Sequence, residues 1–225
     1  MLSSLYQIAE LVAVCTAAVT GVLAAAEIRA DIFGAMVLGC TTAFGGGIVR
    51  DLLLGVTPPA ALRNPMLLMI TAIVSIVVFI LEYCFGDKAA GAALAREGSR
   101  HEQLLNALDA LSLSMFVIVG IDAAMAAGYE DNVPLMIFVG VITGVGGGIL
   151  RDIMIRRIPV ILQKRIYALA ALLGAVTDVF LTKLGCAREL SAIAAVCFIL
   201  IIRYLAVRFL WNLPRYPKAP KNMQS

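Results

Sequence analysis

Six ionisable residues sit inside long apolar runs of this chain, and their spacing repeats. Arg50 and Asp51 follow Gly45, Gly46 and Gly47; Arg151 and Asp152 follow Gly146, Gly147 and Gly148. Glu10 and Asp109 lie near the heads of two other apolar runs. Charged groups are costly in hydrocarbon, so they face inward, find partners and mark ion or substrate pathways. Neighbours on a helix point apart, so Arg50 is not expected to face Asp51. Matching by depth instead pairs Glu10 with Arg50 and Asp109 with Arg151. Asp122 and Asp178 fit either solvated span ends or an outer, cation-attracting mouth. Arg203, in the last apolar run, fits a side chain that snorkels to the inner surface.

The glycines admit two readings. Each costs a helix about 1 kcal/mol relative to alanine. Lacking side chains, they allow a second backbone to approach, or they leave carbonyls facing a cavity. Close helix packing and a helix break that opens a hydrated path both fit. The ionisable pair after each triplet favours the break. Thr41, Thr42 and Thr143 precede the glycines; their hydroxyls either bond back to their own helices or line a pore. Phe44, next to the first triplet, is either a packing residue or a ring that gates a constriction by dewetting.

These residues need a membrane to sit in. The chain has 225 residues, 61% of them hydrophobic and only 15% charged, against about 25% charged in soluble domains. A net charge of +3 is too small to argue for nucleic acid. The five cysteines (Cys15, Cys40, Cys84, Cys186 and Cys197) form no CxxC pair, and His101 is the single histidine. That composition offers neither a metal site nor a disulfide framework. No nucleophile–base constellation appears, so an enzyme and a bound cofactor are not expected.

Seven runs are long enough to span a bilayer at about 20 residues each: roughly 4–27, 33–55, 65–85, 104–127, 133–155, 166–184 and 190–211. Residues 5–27 lack a basic leader and a clear cleavage site, so they read as a retained first span. Basic residues concentrate on alternate connections: Arg29; Lys88, Arg96 and Arg100; Arg156, Arg157, Lys164 and Arg165; and the tail with Arg208, Arg215, Lys218 and Lys221. The other connections carry Arg63, the acidic turn of Glu130 and Asp131, and Lys183 with Arg188. The positive-inside rule then places the N-terminus outside and the C-terminus in the cytoplasm. The tail's charges fit topogenic use or anionic-lipid binding.

The stretch Thr42 to Asp51 aligns with Thr143 to Asp152 at an offset of 101, and Pro58 meets Pro159 at the same offset. Upstream, Glu10 meets Asp109 and Gly21 meets Gly120, at 99. Residues 1–85 therefore read as one three-helix repeat, 86–104 as a cytoplasmic connection and 105–185 as the second repeat. Residues 186–211 form a seventh helix and 212–225 a basic tail. A three-helix unit begins and ends on opposite sides, so its second copy inserts inverted, with a functional site expected at the repeat interface.

Phe33-Gly34, Phe44 through Gly55 and Pro58, with the doubled motif, resemble the bacterial UPF0126 or glycine transporter domain family, which is similar to trimeric intracellular cation (TRIC) channels. The resemblance covers about residues 6–85 and 105–185. It implies an all-α, seven-helix protomer, a homotrimer in the bacterial inner membrane, and a potassium- or sodium-permeable pore in each protomer. It also implies kinks in the second and fifth spans at Gly45–Gly47 and Gly146–Gly148. Departures are visible: Glu10 stands where aspartate is expected, and the second motif runs into Arg156-Arg157 rather than Leu-Gly. Lysine-bearing phosphoinositide motifs of the eukaryotic channels have no match here. The expected function is a monovalent-cation channel, with a glycine or small amino-acid transporter as the alternative. A scaffold role fits the glycine packing but leaves the buried charges less explained.

Overall fold

The structure is a computed structural model that describes residues 4–85, 100–163, 166–209 and 211. Residues 86–99, Lys164, Arg165 and the basic 212–225 tail lie outside the described residues. The described residues are all-helical, with seven helices long and apolar enough to cross a membrane. In chain order the helices are α1 (Ser4–Glu27), α2 (Ile32–Leu53), the short α3 (Ala60–Arg63), α4 (Pro65–Phe85) and α5 (Arg100–Ala126). They continue with α6 (Val133–Met154), the short α7 (Val160–Gln163), α8 (Ile166–Lys183) and α9 (Arg188–Arg208). All but α3 and α7 are the spanning helices. Each crosses opposite to the one before, so α1 begins on a face called here the N-side and α9 ends on the opposite face, the C-side.

The same local chemistry starts and stops both motif helices. Asp31 caps α2 by accepting a hydrogen bond from the Gly34 amide at 2.7 Å. Asn132 does the same for α6 from the Leu135 amide at 3.1 Å. At the other end, the Val56 amide donates to the Asp51 carbonyl and the Arg157 amide to the Asp152 carbonyl, each at 2.8 Å. These are six-residue Schellman closures, which require a left-handed residue just after the helix. Gly55 fills that position at φ 71°, whereas Arg156 fills its counterpart at φ 57°.

Both glycine triplets lie within uninterrupted helix: α2 runs through Gly45–Gly47 and α6 through Gly146–Gly148. The expected break is therefore absent, and close packing explains the glycines. A Cβ on Gly46 would collide with the Thr143 carbonyl oxygen, and one on Gly147 with the Thr42 carbonyl oxygen. A Cβ on Gly146 would sit 2.9 Å from the Gly46 Cα. The two helices thus cross backbone on backbone, and each helix keeps its own hydrogen-bond ladder. Matching crossings hold each repeat together. A Cβ on Gly21 would lie 2.7 Å from Thr42 Oγ1 and 2.8 Å from the Gly39 Cα; one on Gly120 would lie 2.6 Å from Thr143 Oγ1 and 2.8 Å from the Gly140 Cα.

α1 and α5 are the most enclosed spans, whereas α4 stands at the periphery with 11% of its span buried. Its exposed stripe of Met66, Met69, Ile73, Val77 and Ile80 recurs at helical spacing on the outside of the bundle. α9, outside the duplication, packs on α8 and α5.

The third glycine of each triplet differs from the second. A Cβ on Gly47 or Gly148 would make only ordinary contact, at 3.7 Å from Arg50 Nη2 and 3.6 Å from the Tyr167 hydroxyl respectively. Gly46→Ala and Gly147→Ala should each destabilise the protein by roughly 1–3 kcal/mol through overpacking. Gly47→Ala and Gly148→Ala should be neutral or stabilising by up to about 1 kcal/mol. Equilibrium unfolding in detergent distinguishes the two pairs, and equal effects at all four positions contradict the packing account. Arg156→Gly should also stabilise, by about 1 kcal/mol, because it relieves left-handed strain at an exposed residue; a lowered melting temperature would oppose this.

Candidate functional site

The sequence GGG-x-x-RD folds into the same clamp twice. Arg50 Nε donates to Asp51 Oδ1 at 2.8 Å, and Arg151 Nε donates to Asp152 Oδ1 at 3.0 Å. The second carboxylate oxygen reaches the following short helix: Asp51 Oδ2 accepts from the Ala60 amide at 2.7 Å, Asp152 Oδ2 from the Val160 amide at 2.8 Å. Each aspartate therefore binds an arginine with one oxygen and the orphan amide of a helix start with the other. All four side chains are buried. The expectation that Arg50 and Asp51 cannot meet is wrong. Near a helix end, the long arginine stem lies along the helix and returns its Nε to the adjacent carboxylate.

On the C-side, Arg151 of α6 is the centre of a network that draws in four other long helices. Its Nη1 lies 3.5 Å from Asp109 Oδ1 on α5 and donates to the hydroxyl oxygen of Thr20 on α1 at 3.3 Å. Asp109 is also approached by Arg203 Nη2 at 3.6 Å, from α9. The Arg203 guanidinium stacks over the Tyr167 ring at 4.6 Å. Tyr167, on α8, lies close enough to Asp109 for the two to interact electrostatically. Arg203 is 3% exposed, so it does not snorkel; a carboxylate and an aromatic face hold it inside.

On the N-side, the close partner of Arg50 is Asp51 rather than Glu10. Tyr6 and Glu10 also act electrostatically on Arg50. Val119, from α5, packs beside Tyr6 and Ala9 at the position that corresponds by repeat offset to Thr20, so this cluster lacks the matching hydroxyl. The depth argument therefore places Asp109 beside Arg151 and leaves Glu10 in the outer environment of Arg50.

Asp122 and Asp178 do not form an open acidic mouth. Arg188, which charge counting places among the topogenic residues, lies between them: Nε is 2.6 Å from Asp122 Oδ1 and Nη1 is 2.6 Å from Asp178 Oδ1. The triad ties the start of α9 to α5 and α8. Asp178 Oδ2 and Arg188 Nη2 are buried without a protein partner.

The uncharged candidates resolve into packing. The Thr42 and Thr143 hydroxyls bond back to the Leu38 and Val139 carbonyls at 2.7 and 2.6 Å, while their own carbonyls receive Gly147 and Gly46. Phe44 is buried among Ala13, Val14, Ala17 and Phe116. Beside Arg151, a cavity of about 10 Å³ is lined by Gly148, Asp152, Val160 and Tyr167, among others. That is room for about one water. No metal-binding group of three or more His, Cys, Asp or Glu side chains occurs among the described residues.

Known proteins resemble this chain in sequence and fold. The glycine transporter family model matches residues 7–83 and again 106–183, once on each repeat. A UPF0126 membrane protein of Vibrio cholerae is 32% identical over 214 residues, covering 95% of this chain and 84% of that protein. The UPF0126 inner membrane protein YadS of Escherichia coli is 33% identical over 210 residues, covering 92% and 94%. Among solved structures, the TRIC trimeric intracellular cation channel orthologue of Rhodobacter sphaeroides superposes with TM-score 0.82 at 31% identity, covering 93% of this chain and all of that one. A prokaryotic TRIC channel in 0.5 M KCl gives TM-score 0.79 at 28% identity, covering 92% and 98%. With one family match on each inverted repeat and relatives that align over nearly its whole length, the chain belongs to the glycine transporter (UPF0126) family of membrane proteins.

Proposed function

We propose that this protein is a monovalent-cation channel that passes potassium or sodium, with one pathway per protomer between the inverted repeats beside α2 and α6. Its membrane is the bacterial inner membrane, with the N-side outside, the C-side cytoplasmic and the active form a homotrimer. The observation that carries the reading is the end-to-end structural likeness to TRIC cation channels.

The geometry gives that reading a physical form. An ion crossing hydrocarbon needs polar groups at membrane depth, and those groups persist only inside protein or beside water. The two arginine–carboxylate clusters supply them, one on each side of the α2–α6 crossing. In this conformation the space at Arg151 takes about one water, so conduction requires the guanidinium to swing away from Asp109. The distance of 3.5 Å is longer than a tight charge-assisted bond, which makes that pair the easier one to open. The Asp51 and Asp152 clamps would stay closed and keep α3 and α7 in place. Because Thr42 and Thr143 are engaged with their own helices, the selectivity chemistry falls to carbonyls and carboxylates rather than to those hydroxyls.

A second reading has its own support, since the matching family model is described as a glycine transporter. A carrier would bind the glycine carboxylate at an arginine and the ammonium at an acid. Purified protein in planar bilayers and in liposomes separates the two. The channel predicts unitary potassium currents that reverse near the potassium equilibrium potential in a KCl gradient, with no saturable glycine uptake. Saturable uptake with counterflow and no unitary current would contradict it.

A further inference from the structure

The two clusters look equivalent by repeat, yet they differ in charge. On the N-side, Arg50 faces Asp51 closely, and Glu10 also acts on it electrostatically. With each group ionised, that is one positive charge against two negative, or −1. On the C-side, Arg151 and Arg203 face Asp109 and Asp152, two against two, or zero. The extra cation comes from α9, the helix outside the duplication, so the first repeat has no counterpart for it.

We infer that Arg203 is a positioning and charge-setting residue that makes the C-side cluster the higher electrostatic barrier to a permeating cation. This rests on the cation-channel reading. Three observations carry it. Arg203 shares Asp109 with Arg151 at nearly equal distances of 3.6 and 3.5 Å, so one carboxylate faces two guanidinium charges. Its Nε is buried without a hydrogen-bond partner, so the group is incompletely anchored by polar contacts. It lies against Tyr167, which also lines the cavity beside Arg151. A guanidinium in that position adds a full positive charge next to the space an ion must enter, where low dielectric strengthens its repulsion. It also leaves Asp109 less able to attract an incoming cation. The N-side cluster has no second guanidinium beside Arg50 and by comparison favours cation entry.

The test is single-channel recording of the full-length wild-type protein with Arg203→Gln, Arg203→Lys and the double variant Arg203→Gln/Asp109→Asn. Arg203→Gln leaves Asp109 paired with Arg151, so it does not orphan the carboxylate. It should raise unitary potassium conductance at least about twofold at ~0.01 M KCl, where screening extends over about 30 Å, and converge with wild type at ~1 M, where it extends over about 3 Å. Arg203→Lys keeps the charge and should stay near wild type. The double variant restores a net charge of zero and should return conductance toward the wild-type value, which a mere packing defect at Arg203 would not do. Unchanged or lowered conductance in Arg203→Gln at low salt, with wild-type currents present, overturns the inference while leaving the channel reading intact. Wild-type protein that carries no current overturns both. Should Arg203→Gln fail to fold, Arg203→Met decides the matter by the same comparison, since its flexible thioether chain can pack on the Tyr167 ring.

Discussion

Everything in this molecule is arranged around the reciprocal contact of two backbones, Gly46 under the Thr143 carbonyl and Gly147 under the Thr42 carbonyl. Only hydrogen fits at either glycine. Lipid supplies little hydrophobic drive between apolar helices, so association there depends on close packing, and a glycine crossing gives the closest packing available. The crossing joins α2 to α6, hence the first repeat to the second. Its neighbours repeat the device within each repeat, at Gly21 with Gly39 and at Gly120 with Gly140. A scaffold in which α2 touches α1 and α6, and α6 touches α5, then follows from six small residues.

That crossing also fixes the charges. Four and five residues beyond the middle glycine of each helix come an arginine and an aspartate positioned near the helix end, on opposite sides of the crossing. Each aspartate fastens the short helix that turns the chain toward its next span. Arg151 is left with the rest of its guanidinium directed at Asp109 of α5 and Thr20 of α1. Arginine is suited to this double duty because its fork has separate donors for separate carboxylates. Burying ion pairs contributes little net stability and breaking one is costly, so the arrangement makes more sense as a controlled polar region than as reinforcement. The duplication makes two such regions, and α9 makes them unequal.

Much of this was legible in the amino-acid sequence, and the failures have physical causes. Seven spans follow from apolar run length, and the inverted repeat follows from a motif recurring at one offset. Depth along oppositely directed helices was enough to bring Asp109 to Arg151. Rotation about a helix axis was not legible, so Arg188 and Arg203 read as surface charges although both turn inward to carboxylates. The glycine triplets read as a break because the partner that explains them is a backbone about a hundred residues away. The Arg50–Asp51 contact was missed because the neighbour rule treats side chains as radial spokes, whereas a long side chain at a helix end can lie along the axis. The repeat at Gly55 and Arg156 was visible as a departure, but its meaning, a left-handed position occupied by arginine, needed the backbone.

The central claim is that the inverted repeats frame one polar path with a charged region toward each face. It is tested most directly by cysteine accessibility at the third glycines, Gly47 and Gly148, where a side chain is sterically tolerated. In a background with the five native cysteines replaced, Gly47→Cys and Gly148→Cys channels would be exposed to a charged thiol reagent from one face at a time during recording. The account predicts that the reagent alters current through Gly47→Cys from the N-side and through Gly148→Cys from the C-side. Modification of both from the same face, or of neither while current flows, would contradict it.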